Sequence, residues 1–195
     1  MGSLLDAIGA LAIGGLFLVT MFTTLFNVQV TGQDIGLQVN LNQCAQVVCK
    51  ELDRYLGKVG VNISGSDILV AEPDSFKFRS KWSITADTTT STENIVKIAM
   101  GDSMTCGYPM EVTENDTLIL GTDIALWLKS LNFTYYNEDD RIILTPIDSL
   151  DHIRSVKVDM EFFHEGSSVG PGARNINTKI ILWKYFKNIY LKYKK

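Results

Sequence analysis

Between Ala7 and Gln33 the chain carries no charged side chain, twenty-seven positions in a row. No Lys or Arg precedes Lys50, and no proline precedes Pro73. Each absence excludes something. A run of that length without charge is not the surface helix of a soluble domain, since about twenty apolar residues suffice to cross the ~30 Å hydrocarbon core of a bilayer. The missing basic residues remove the n-region of a secretory signal peptide, whose apolar stretch is in any case only about 7 to 15 residues long. They also leave the positive-inside rule with nothing to weigh. Leu41-Asn42-Gln43-Cys44 superficially resembles a lipoprotein cleavage box but places Asn and Gln where small residues are required. The missing proline leaves a helix free to continue beyond the membrane.

Reactive side chains are equally scarce. The two histidines, His152 and His164, fall in different elements and in no metal-ligand spacing such as HExxH. His152 with Asp151, or His164 with Glu165, are sequence neighbours whose side chains usually point apart, a poor basis for acid–base work. Cys106 beside Gly107 has no nameable base to activate it. Glu138-Asp139-Asp140 lacks the twelve-residue calcium-loop pattern and reads as a solvated turn. Cys44, Cys49 and Cys106 form no CxxC motif, and their odd number allows at most one internal bridge. Cys44 and Cys49 lie about 140° apart around a helix and cannot pair with each other there. A disulfide of Cys106 with Cys44 or Cys49 is one arrangement, three free thiols the other. No enzyme activity, cofactor or metal is expected. A net charge of −4 also argues against a nucleic-acid partner.

What is present is a long helix followed by strands. Ala7 to Val28 sets Gly9, Gly14, Gly15 and Thr20, Thr23, Thr24 among Leu, Ile, Phe, Val and Met. Small residues let helices approach closely in lipid. Beyond Asp34, the residues Leu37, Leu41, Cys44, Val48, Leu52, Tyr55 and Leu56 recur at spacings of three and four, one apolar stripe of a 3.6-residue helix. Leu4 to about Leu56 is therefore expected to be one helix about 80 Å long, with Gly32 and Gly36 as its weak points and Gly57 as its stop.

Short β-rich runs follow at Ile68 to Ala71, Phe76 to Ile84, Asn94 to Met100, Thr117 to Leu120, Phe133 to Tyr136, Arg141 to Thr145, Val156 to Phe163 and Lys179 to Tyr185. Strict alternation from Ser155 to Phe162 marks a strand with one face in a core. Phe133 to Tyr136 and Arg141 to Leu144 read as a hairpin about a polar turn. Ala86 to Thr92 and Gly166 to Asn177 read as loops, and Asp123 to Leu131 and Asp148 to Ile153 as short helical turns. The tail from Lys184 to Lys195 interleaves lysine with aromatics, which suits an edge strand kept soluble by lysine or a surface for a polyanion or lipid headgroup. The expected fold is α+β: residues 1–33 a transmembrane or bundle helix, 34–57 its amphipathic continuation, and 58–195 an antiparallel sheet domain. Leu41, Val48, Leu52, Ile143, Val156, Val158 and Met160 are its expected shared core.

A spanning helix that runs into an amphipathic half and then a one-sided antiparallel sheet resembles the type IV pilin superfamily, in particular its minor pilins and pseudopilins. Leu52 to Gly60 is similar to the family's helix exit. Asp74 to Phe78 with Thr85 to Asp87 is similar to its early strand and loop. Leu131 to Tyr136, Ile142 to Ile147 and Leu150 to Val158 are similar to its strand, turn and following strand. The family's leader motif is absent: the chain opens Met1-Gly2-Ser3-Leu4-Leu5-Asp6, so cleavage after Gly2 makes Asp6 the fourth mature residue where the family has Glu at the fifth. The resemblance implies a structural subunit of a filament or secretion pseudopilus, assembled with other pilin-like subunits through Asp6, Gly9, Gly14 and Gly15. A single-pass anchor in the cell (inner) membrane is expected, with the C-terminal domain outside because everything that could fold into a domain follows the helix. The alternative is a solitary membrane-anchored binding or sensor module.

Overall fold

The computed structural model describes residues 2–103, 107–120, 128–144, 150–164 and 176–193. Helix α1 spans Gly2–Leu56 without a break, as its lack of proline and the periodicity that continues past the membrane stretch predict. Gly32 and Gly36 do not interrupt it. It stops at Gly57, whose amide donates to the Asp53 carbonyl at 3.0 Å. The helix up to Asn40 falls in one compact unit, while Leu41–His164 and the described residues from Asn177 onward form the other.

Among the described residues, the end of α1 is followed by eight strands and a short helix. The strands are β1 Ile68–Ala71, β2 Ser75–Ser83, β3 Thr88–Met100, β4 Met110–Glu114, β5 Thr117–Leu120, β6 Leu128–Tyr136, β7 Ser155–His164 and β8 Ile176–Tyr185, followed by α2, Lys187–Tyr193. They form two antiparallel sheets, one ordered β1-β2-β3-β4-β5 and one ordered β6-β7-β8. Period-two patterning explains the inward faces. Phe76, Phe78 and Ser80 on β2, Val96 and Ile98 on β3, and Val156, Val158, Met160 and Phe162 on β7 are buried, while their neighbours, apart from the buried Ser155, are partly or fully exposed. The two-residue turn between β4 and β5 is Asn115-Asp116, with φ of 50° and 62°. Both lie in the left-handed region that the primed hairpin turns require and that Asn and Asp tolerate best.

Against these sheets α1 lays Leu41, Ala45, Val48, Leu52, Tyr55 and Leu56, all buried. Asp53 pairs with Lys184 at 2.7 Å, and Asn42 accepts from Thr178 at 3.0 Å, tying the helix to β8. The sheets meet through an aromatic cluster in which Phe76 lies 5.7 Å from both Tyr135 and Phe186. The Tyr135 hydroxyl donates to the Glu72 carbonyl at 2.8 Å. Burial holds that phenol well above its ordinary pKa, so it remains a donor.

Several local expectations change. Of the expected core, Leu41, Val48, Leu52, Val156, Val158 and Met160 are buried, but Ile143 is only half-buried. Of the expected Arg141 to Thr145 strand, Thr145 lies outside the described residues and Arg141 to Leu144 form no continuous strand: Tyr136 bridges Ile142, and the Ile143 amide donates to the Tyr135 carbonyl at 2.9 Å. Thr88 to Thr92 belongs to β3, where Trp82 and Ser83 pair with Thr89 and Thr88. Leu128 to Leu131 is strand and not a helical turn, and β4 forms where the sequence shows no β-rich run. Beyond Tyr185 the described part of the tail holds the helix α2 and not an edge strand, because Phe186 and Ile189, three apart, both reach the core. Residues 150–152 form a helical turn, while Asp123 to Trp127, Asp148, Ser149 and most of the Gly166 to Asn177 loop lie outside the described residues.

Candidate membrane and assembly helix

The N-terminal part of α1 is apolar on every side. Leu4, Leu11, Leu16, Phe17 and Phe22 are each exposed, and so are Ile8, Ile13, Val19 and Leu25. No residue of its most apolar stretch is buried inside the chain, and the helix is long and apolar enough to cross a membrane. Such a surface has to be covered by something else, either acyl chains or other helices. The uncharged stretch between Asp6 and Asn27 rises about 30 Å, the thickness of a hydrocarbon core.

The threonines of this stretch suit that setting. A hydroxyl transferred out of water is costly unless hydrogen-bonded. Thr20 donates to the Phe17 carbonyl, Thr23 to Val19, Thr24 to Thr20 and Thr31 to Asn27, each at 2.8 Å. Each hydroxyl is satisfied within its own helix, so the helix presents methyl groups where the sequence shows polar residues. Threonine in an apolar helix is the usual sequence signal of such back-bonding.

The glycines are different. A side chain built on Gly9, Gly14, Gly15, Gly32 or Gly36 meets nothing within 4 Å. Nothing among the described residues needs them to be small, yet each costs roughly 1 kcal/mol of helix propensity relative to alanine. Successive residues turn about 100°, so Gly14 and Gly15 face about 140° and 240° round the axis from Gly9, in three directions. Around Gly32 the small and short side chains leave a shallow groove of about 460 Å³, bordered by Thr24, Asn27, Val28, Thr31 and Ile35.

Asp6 is exposed on the same helix, the one ionisable side chain before Asp34. Its carboxylate has no ion-pair partner among the described residues. Cys44 and Cys49 are free thiols on α1, half-buried, and Cys106 lies outside the described residues. Burial, reinforced by the nearby Asp53 carboxylate, pushes the Cys49 thiol up and makes it less reactive. His152 is exposed on its helical turn, and the His164 side chain lies outside the described part. Among the described residues no group of three His, Cys, Asp or Glu is placed to hold a metal ion.

No protein-family model, no curated protein and no solved structure matches the chain.

Proposed function

We propose that the chain is a structural subunit of a membrane-associated, pilus-like filament or secretion pseudopilus, anchored by α1 and assembled through it with other pilin-like subunits. The observation that carries this reading is the set of glycines with open space around them. A solitary anchor surrounded by fluid lipid has no use for side chains this small, whereas close helix–helix approach does. Their distribution in three directions suits a bundle with several neighbours better than a single two-helix contact. Asp6 adds to it, since a carboxylate near a crowd of apolar helices needs a cation, and in a bundle a neighbouring subunit can bring one.

In this reading the apolar part of α1 rests first in the cell (inner) membrane and then in the helix bundle, with the sheet unit outside. The two apolar environments are nearly equivalent in solvation, so transfer between them is decided by packing and by the Asp6 partner. Imaging sheared surface material tests it: filaments that carry this chain, identified by antibody against the sheet unit, are expected. Surface material free of the chain, with all of it left as single copies in the membrane, would support the solitary anchor instead.

A further inference from the structure

The sheet unit has a cleft at the end of β8, and a row of exposed aromatic rings leads into it. On β8, Ile181, Trp183 and Tyr185 alternate onto one face and are all exposed. Trp183 is 43% and Tyr185 57% accessible, and their rings lie 6.3 Å apart with only 21° between planes. Tyr136 supports Trp183 at 4.5 Å, and the Trp183 indole donates to Ser155 Oγ at 3.3 Å, which fixes the ring in place. The row continues into a cleft of about 420 Å³, bordered by Glu138, Asp140, Arg154, Tyr185, Lys187 and Tyr190. Phe186 closes its floor and stacks on Phe76 in the core with 5° between planes, so the cleft is held by packed structure.

The lining chooses among ligand classes. The volume falls in the range of small-molecule sites, about 300–1,000 Å³. Two carboxylates, Glu138 and Asp140, and two cations, Arg154 and Lys187, line the cleft, so its walls carry no excess of either sign. An anion meets the two carboxylates, while Arg154 already spends Nη1 on the carbonyls of Asp151 and Ile153, at 2.6 and 3.0 Å. A surface of anionic lipid is opposed by the same carboxylates, while Asp159 on the adjoining strand is already neutralised by Lys157 and Lys179, at 2.9 and 3.5 Å. A purely aliphatic ligand uses the rings and strands the polar rim. A neutral polyol ring uses both: its C–H face lies on an aromatic ring, and its hydroxyls donate to carboxylates and accept from cations. Tyr185 joins the two halves, because its hydroxyl donates to Asp140 Oδ1 at 3.2 Å while its ring stays open to solvent.

We propose that this cleft and the Trp183-Tyr185 platform bind a neutral saccharide, one ring stacked on Tyr185 with its hydroxyls held by Asp140 and Glu138 and the next ring on Trp183. Two rings about 6.3 Å apart along a strand match a chain of linked sugars better than an isolated ring. The proposal is independent of filament assembly.

The test uses the full chain in detergent micelles, titrated with cellotetraose, chitotetraose and maltotetraose by calorimetry and by saturation-transfer NMR. Binding of at least one is expected, with the strongest transfer to protons on the stacked ring face. Tyr185→Ala should weaken it about tenfold or more. Tyr185→Phe, which keeps the ring and loses the hydroxyl, should stay within about threefold and shows that the site still folds. No binding of any of the three, or binding unchanged by Tyr185→Ala, overturns the proposal. So does a Trp183 response to anionic lipid nanodiscs alone, which marks the surface as a lipid contact.

Discussion

Two ionisable residues carry the most direct tests. Asp6 lies in an otherwise uncharged stretch, and its carboxylate has no cation beside it among the described residues. Asp6→Ala should leave membrane insertion and the sheet unit intact but lower incorporation into the assembly. Asp6→Glu should restore part of it, because it keeps the charge and adds one methylene of reach. Equal yields of assembled wild type and Asp6→Ala, by quantitative blotting of sheared material, would reduce Asp6 to a charge near a helix end. The second residue is Asp67, only 5% exposed, which accepts from Lys192 of α2 at 3.1 and 3.3 Å. Burial raises the Asp67 carboxyl, and Lys192 pulls it back down. With a folded value above the unfolded one, its contribution is fully present below the ordinary carboxylate range and is lost as pH rises through the raised value. Removing Lys192 deletes the lowering influence and leaves a buried charge, so Lys192→Ala should destabilise by about 1–3 kcal/mol at pH 7 and distinctly less near pH 4. Unfolding curves at the two pH values check it, and a pH-independent loss would contradict it.

At the level of elements, α1 is held by the stripe from Leu41 to Leu56. Leu52 is fully buried within it, so Leu52→Ala should cost about 2–5 kcal/mol. A denaturation shift below about 0.5 kcal/mol would place Leu52 on the surface. That stripe was plain in the sequence because a long helix repeats its period many times over. Ala45, buried beside it, was missed because alanine carries little weight in an apolar pattern. Short elements were harder. In β4, Met110-Glu111-Val112-Thr113-Glu114, the acidic residues mask a strand whose Glu114 turns inward and accepts from the Ile84 and Thr85 amides. Thr88 to Thr92 looked like a loop because it is polar, yet threonine is β-branched and pairs as readily in an exposed ribbon. Lysines alternating with aromatics after Lys184 imitate a strand, and only the burial of Phe186 and Ile189 reveals the helix. The aromatic cleft was not legible at all, since Glu138, Arg154 and Tyr190 come together only through tertiary folding.

For the molecule as a whole, the α+β architecture and a helix long and apolar enough to cross a membrane rest on composition and period, the strongest signals a sequence carries. The proposal of assembly rests on small residues for which the described part of the chain shows no need. The most direct measurement is photo-crosslinking from within the apolar helix, with a benzophenone side chain replacing Phe17, which is 67% exposed, and irradiation of intact cells. Packing through α1 predicts covalent products that join the chain to a second copy or to another subunit with a long apolar N-terminal helix, and their loss in the Asp6→Ala background. Monomer and lipid adducts alone, at wild-type expression, would contradict assembly through this helix.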